Sequence, residues 1–288
     1  MKIAHAPAQV VRQPRAVAIG TFDGVHRGHQ GVARTAIESG LAPTVLTFDP
    51  HPRVALGNRV DLISTVERRL ELLAEAGVET TLLVGFTPEV LRLAPEQFAE
   101  TYLRGIGAEV VIAGEDFRFG YRRAGDLELL DRLGFQVVQA PEVAGVSSSA
   151  IRAALRSGDI AAAARMLGRP PELDGIVVGG DQRGGTLGFP TANLRPIPDL
   201  VVPHHGIYAG QWGEYRAAVS IGTNPHYGGT EQRVEAFLLD FDGDLYGTRL
   251  VIEVWERLRD ERVFESEQAL IEQIALDVGR TRAARRPG

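Results

Sequence analysis

Apolar residues follow two different rhythms along the chain, and the change comes near residue 170. Upstream, the short apolar runs Ala16–Ile19, Thr44–Phe48, Thr81–Val84 and Val110–Ala113 alternate with helically spaced stretches such as Gln30–Glu38, Val66–Ala76 and Pro95–Leu103. That alternation predicts βαβ units around a parallel sheet. Ser147-Ser148-Ser149 opens a helical stretch at Ala150–Leu155. A second covers Ile160–Leu167, and Gly168-Arg169-Pro170-Pro171 breaks it. Downstream, strand-like runs dominate: Gly175–Val178, Gly206–Trp212, Tyr215–Ile221, Val234–Phe241 and Thr248–Leu258. Turn signals separate them, and Asp242-Gly243 reads as a hairpin turn. The pattern predicts a compact antiparallel barrel. A one-faced final helix is expected over Ser266–Asp277, carried by Leu270, Ile271, Ile274 and Val278, with a frayed basic tail at Arg280–Gly288. The expected class is α/β: a parallel-sheet domain over 1–170, then an antiparallel β-barrel domain with a C-terminal helix over 171–288.

Composition narrows the chemistry. At 288 residues, 44% apolar and 24% charged, the chain can bury one large core or two medium ones. A net charge of −6 gives no global field for nucleic acid or acidic membrane, so neither is expected as a partner. Cysteine is absent, which removes disulfides, thiolate metal sites and cysteine nucleophiles and fits a cytoplasmic location. Met1–Gln13 lacks the apolar core of a signal peptide, and no run approaches a membrane span. Of the 31 lysines and arginines only Lys2 is lysine, leaving thirty arginines. A P-loop and a Schiff-base mechanism both need a site lysine. Gly179–Thr186 mimics the P-loop spacing, but Gly185 stands where lysine belongs. Asp240–Asp244 imitates an EF-hand start, yet Leu245 and Val251 occupy its glycine and glutamate positions.

The strongest chemical signal is Gly20-Thr21-Phe22-Asp23-Gly24-Val25-His26-Arg27-Gly28-His29, directly after an apolar run. A strand, a glycine-bearing turn and two histidines at a helix start make an anion site, because the helix start presents unpaired N–H groups and a positive dipole end. Gly28, without a Cβ, lets a phosphate approach the backbone. Two further polar clusters, Asp49-Pro50-His51-Pro52 and Gly114–Gly120, also follow apolar runs, and ligands of parallel sheets bind at the carboxyl ends of strands.

Gly20–His29, Thr47–Pro52, Gly114–Gly120 and Ser147–Arg152, in that order, resemble the adenylyltransferase module of prokaryotic bifunctional riboflavin kinase/FAD synthetases. The resemblance implies a Rossmann-like nucleotidyltransferase domain that transfers AMP from ATP to FMN. FMN carries its own phosphate nucleophile, so the protein has to align two anions and absorb charge on pyrophosphate. His26 and His29 would donate to the phosphates, best as imidazolium, and Arg152 would add a forked contact. Gly20, Phe22, Asp23, Gly28, Asp116 and Ser148 would line ATP. Phe48, Pro50, His51 and Pro52 would meet the flavin. By itself the serine run is more often a helix cap than a ligand site. Ser149 stands where the family usually has threonine, which keeps the hydroxyl.

Leu187-Gly188-Phe189-Pro190-Thr191-Ala192-Asn193 resembles the flavokinase signature of the same family, and the likeness runs on through Glu261. Gly180, Gly184 and Gly185 would let backbone N–H groups cover ATP. Thr191 and Asn193 offer two hard oxygen ligands for Mg2+. The acceptor is a primary alcohol, so a base helps, and Glu235 is the candidate. An isolated carboxylate in an apolar strand is costly unless paired or used, so a salt bridge with Arg233 or Arg216 is the competing reading. Arg259 and Glu261 would belong to a flap over the flavin. His226 and Pro171 depart from the family's usual threonine and tyrosine. The expected enzyme is therefore bifunctional, using riboflavin, FMN and ATP, as a monomer or weak homo-oligomer. A riboflavin kinase alone, or a non-catalytic flavin-binding protein, are the alternatives.

Overall fold

The structure, a computed structural model, describes residues 1–179, 189, 191–223 and 232–288. Gly180, Gly184, Gly185 and the His226 departure lie outside the described residues. Packing divides the chain into two units. One comprises Met1–Val60 and Val66–Ser147, the other Asp61–Thr65 and Ser148–Gly288.

In the first unit six parallel strands form one sheet: β1 (Lys2–Ala4), β2 (Arg15–Ile19), β3 (Ala42–Asp49), β4 (Thr80–Gly85), β5 (Ala108–Ala113) and β6 (Gln136–Gln139). Their order is β1-β4-β3-β2-β5-β6. All five residues of β2 are buried, because both faces of the sheet are covered. Alternate residues feed two cores. Ala16, Ala18, Val45 and Ile112 join Ala33 and Ala36 of helix α1 (Arg27–Glu38), while Leu72 and Leu73 come from Val66–Glu75. Val17, Ile19, Leu46, Phe48 and Val111 pack with Phe98, Leu103 and Leu130 on the other face. The strand order reverses between β2 and β5, and the crevice at such a reversal is where open α/β sheets bind ligands. The edge strands β1 and β6 carry too few apolar residues to stand out in sequence. The helix expected over 95–103 begins at Pro95–Phe98 and widens into a π-turn at Ala99–Leu103.

In the second unit β7 (Glu172–Val178), β8 (Ala192–Pro196), β9 (Gly206–Trp212), β10 (Tyr215–Thr223), β11 (Gln232–Leu238) and β12 (Arg249–Arg259) close an antiparallel barrel in the order β10-β11-β8-β7-β12-β9. Helices Ser148–Ser157 and Ile160–Leu167 pack on it through Ile151, Leu155, Ile160 and Leu167. The segment 61–65 is stitched to this unit. Leu62 bridges Leu200, Asp61 accepts from Arg156, and Thr65 donates to Asp174, which Arg249 grips with two bonds of 2.8 and 2.6 Å.

Two expectations are corrected here. Asp242-Gly243 is not a hairpin turn, since β8 and β7 stand between β11 and β12 in the barrel. The connection crosses instead, and Val177 of β7 accepts from Gly247 and donates to Thr248. Nor is the basic tail frayed. The last helix runs Glu267–Ala283, Arg282 pairs with Asp240, and Arg286 pairs with Glu253 of β12. Thr281 and Ala284 are buried. Arginines that look solvated in sequence find carboxylates on the barrel.

Candidate active sites

The first site grows from the end of β2. After Gly20 and Thr21, Phe22 takes a left-handed φ of 52° and turns its buried ring to within 5.1 Å of the His29 ring. A Cβ on Gly20 would touch that ring at 3.4 Å. Phe22 is thus a core residue that shapes the turn. One 3-10 turn, Asp23–Val25, delivers His26 as the N-cap of α1. His26 Nδ1 accepts from the His29 N–H at 3.3 Å, and the two rings stack with centroids 3.6 Å apart. A Cβ at Gly28 would press to 3.2 Å on the His26 ring, so the glycine makes room for the cap.

A ring nitrogen that accepts from N–H carries no proton, so His26 caps as neutral imidazole with Nε2 as its donor. His29 is held well below the ordinary histidine value of 6.5, first by burial, then by His26 and Arg69. Its Nδ1 is buried without a hydrogen-bond partner. Burial and the cap geometry both favour neutral rings.

Two more clusters reach the same edge of the sheet. Near the end of β3, Phe48 packs in an aromatic cluster 5.0 Å from Phe86 and 6.3 Å from Phe98. Pro50 is exposed. His51 is buried, and its Nδ1 accepts from the Arg53 N–H at 3.1 Å to cap Pro52–Ala55. Gly114 follows β5, and exposed Asp116 sits in the turn closed by Phe117 N–H on the Gly114 carbonyl. The histidine turn and the Asp116 turn therefore flank the reversal between β2 and β5. Sequence reasoning missed Arg69. It lies on the inward face of its helix with Leu72 and Leu73 and is 5% exposed. A charge at a core-facing helical position was the available signal. Ser148 and Arg152 belong to the second unit, where buried Arg152 donates from Nε to the Asp61 carbonyl at 2.5 Å.

The second site lies on the outside of the barrel. Val234, Ala236 and Leu238 fill its interior, which turns Arg233, Glu235 and Phe237 outward. Register places Glu235 opposite Asn193 on β8 and Ser220 on β10. Cross-strand partners share a face, so these three polar side chains form one row. Of the two open salt-bridge readings, Arg233 is the partner of Glu235, whereas Arg216 lies over the Trp255 ring at 4.1 Å. Phe189 meets Phe237 edge-on at 5.5 Å. Thr191 directly precedes β8. The Glu261 carboxylate packs where a Cβ on Gly222 would fall, so the glycine leaves room for it there. Arg259 is gripped by buried Asp277 of the last helix, through bonds of 2.7 to 3.1 Å, with Gln273 donating to the same carboxylate. Among the described residues no group of three His, Cys, Asp or Glu side chains could hold a metal. Thr191 and Asn193 supply neutral hard oxygens, a set that suits a cation carried in on nucleotide phosphates.

A histidine-capped helix at the reversal of a parallel sheet, followed by a barrel with a polar row around one carboxylate on its outer face, defines a two-module nucleotide-handling protein. The family model for FAD synthetase matches residues 8–152 and that for riboflavin kinase matches 167–285. The bifunctional riboflavin kinase/FMN adenylyltransferase of Bacillus subtilis is 36% identical, over 96% of this chain and 96% of its own. Those of Listeria monocytogenes and Escherichia coli are 35% and 34% identical, over 93% and 95% of this chain and 92% and 93% of theirs. The chain belongs to the bifunctional riboflavin kinase/FMN adenylyltransferase family. A crystal structure described as a macrolide-efflux protein from Streptococcus pneumoniae superposes with a TM-score of 0.86 at 31% identity, covering 97% of this chain and 98% of that one. Among the described residues of this chain no helix is long and apolar enough to cross a membrane.

Proposed function

We propose that the chain divides its two reactions by sequence, with residues 171–288 phosphorylating riboflavin with ATP and residues 1–170 adenylating the FMN produced to give FAD and pyrophosphate. The observation that carries the reading is the pair of sites just described, one built for phosphate anions and one for an alcohol. In the kinase, the Glu235 carboxylate accepts the proton of the riboflavin primary hydroxyl, and Arg233 holds that carboxylate in place. Thr191 and Asn193 would hold Mg2+, which when bound would neutralise charge on the transferring phosphate. Phe189 and Phe237 offer an apolar wall, and Glu261 closes the row. Gly180, Gly184 and Gly185 are assigned to ATP, and Arg259 to the flavin flap, on the motif.

In the adenylyltransferase, phosphate oxygens accept from His26 Nε2, from His29 and from the first N–H groups of α1. Neutral imidazoles suit this role because they donate without having to be desolvated as ions. Gly20, Phe22, Asp23, Gly28 and Asp116 shape the nucleotide side, and Phe48, Pro50, His51 and Pro52 the flavin side. Ser148 and Arg152 are assigned to ATP by their motif. The enzyme works on small molecules in the cytoplasm as a monomer or weak homo-oligomer, with no role for nucleic acid or membrane.

The test is a chromatographic time course with purified protein, riboflavin, ATP and magnesium. The expected result is FMN appearing first and converting to FAD. FMN alone would leave a single-activity kinase, and retained riboflavin without product would leave a flavin-binding protein.

A further inference from the structure

Arg69 has no place in the motifs, yet it bonds to both loops of the first site. Its Nη1 donates to the Thr21 carbonyl at 2.6 Å and to Thr47 Oγ1 at 3.4 Å, and its Nη2 donates to the Phe48 carbonyl at 3.1 Å. Thr47 Oγ1 in turn donates to the Thr21 carbonyl at 3.0 Å. Thr21 lies in the turn that delivers His26 and His29. Phe48 stands one residue before the end of β3, which leads into Pro50–Pro52. A single guanidinium, 5% exposed, thus joins the two loops that leave adjacent parallel strands.

Burying a guanidinium is costly, and a purely structural tie between two carbonyls does not require one. Burial lowers its affinity for the proton, while Asp23, Asp49 and Glu67 act to hold it. Backbone carbonyls at strand exits have no ladder partner, so a planar fork of donors is suited to fixing two of them at once. Lysine keeps the charge but cannot span both carbonyls in one plane.

We propose that Arg69 is a positioning residue for adenylyl transfer, clamping the histidine turn to the exit of β3 so that the phosphate and flavin sides of the site keep their spacing. The inference rests on the adenylyltransferase reading of the first unit. A second consequence follows from the same placement. Burial is the main cause that holds the His29 pKa down, and the Arg69 charge adds to it, with Asp23 acting on Arg69 in the opposite sense.

The experiment uses the full-length protein and the variants Arg69→Met, Arg69→Lys and Thr47→Val. FAD formation from supplied FMN and FMN formation from riboflavin are measured separately, and the His29 imidazole is titrated by NMR. For Arg69→Met, kcat/KM for FAD formation falls about 100-fold, the effect of a displacement near 1 Å at a reacting centre. FMN formation is unchanged, and the His29 titration moves up towards 6.5. Arg69→Lys shows the same loss of FAD formation with His29 still depressed, separating clamp from charge. Thr47→Val, which preserves shape, lowers FAD formation about 10-fold, as for one misplaced hydrogen bond. FAD formation within twofold of wild type for Arg69→Met or Thr47→Val overturns the proposal. If Arg69→Met loses both activities together, Thr47→Val alone decides. Wild-type protein that forms no FAD from FMN instead overturns the underlying reading.

Discussion

The two units build nucleotide chemistry by opposite means. In the parallel-sheet unit the chemical groups ride on loops that leave neighbouring strands at one edge, and each group is local in sequence to its own turn. In the barrel they sit mid-strand on the outer face, and strand register alone brings Asn193, Glu235 and Ser220 together. The consequence is a difference in how each site is held. Loops need a clamp, and the first unit supplies buried histidine caps and Arg69. Strands are already fixed by their ladder, and the second unit spends its buried charges on docking the last helix and the segment 61–65 instead.

The sharpest way to test the contrast is to remove the mid-strand carboxylate. Glu235→Ala is expected to lower FMN formation from riboflavin by about 10³-fold, within the range of a lost general base. FAD formation from FMN should continue at its former rate. His29→Ala should do the reverse, lowering FAD formation by about 10²-fold, as for one lost donor to a developing anion. If either variant, shown to be folded, loses both activities, the division of labour is wrong.

Stability offers a smaller contrast. Asp277→Ala removes the buried carboxylate that grips the half-buried Arg259 guanidinium and should cost the second unit up to about 3 kcal/mol, read from urea midpoints. Arg282→Ala, which breaks the exposed pair with Asp240, should move the midpoint far less. In the first unit, pH is the probe. His29 has a folded pKa below its unfolded value of about 6.5. Its contribution is therefore fully present above pH 6.5 and is lost as the pH falls from there through the folded pKa. The expected outcome is unfolding that becomes easier over that acid window, with the loss reduced in His29→Gln.

Much of this arrangement was legible in the chain itself. The alternating apolar runs marked β2, β3, β4 and β5 because a sheet buried on both faces demands continuous apolar strands. The glycine-bearing turn and paired histidines marked the first site because helix capping is a local event. Strands β1, β6 and β8 were not marked, being short or half polar, so nothing in their own residues separates them from loops. Asp242-Gly243 misled for the same reason: a turn dipeptide reports local backbone preference, not which strand comes next in a barrel. Glu235 was visible as a carboxylate out of pattern. Whether Arg233 or Arg216 would meet it depended on which way each side chain faced, and that is set by the closed sheet.

The sequence by itself determined the two fold classes, the order of the motifs and the chemical types at each site, since these follow from local spacing and residue chemistry. The tertiary structure alone decided the neutral state of His29, the clamp of Arg69, the row across β8, β11 and β10, and the capture of Arg259 by Asp277. Each of those depends on residues far apart in the chain sharing a low-dielectric environment, where burial and register, not composition, set charge and contact.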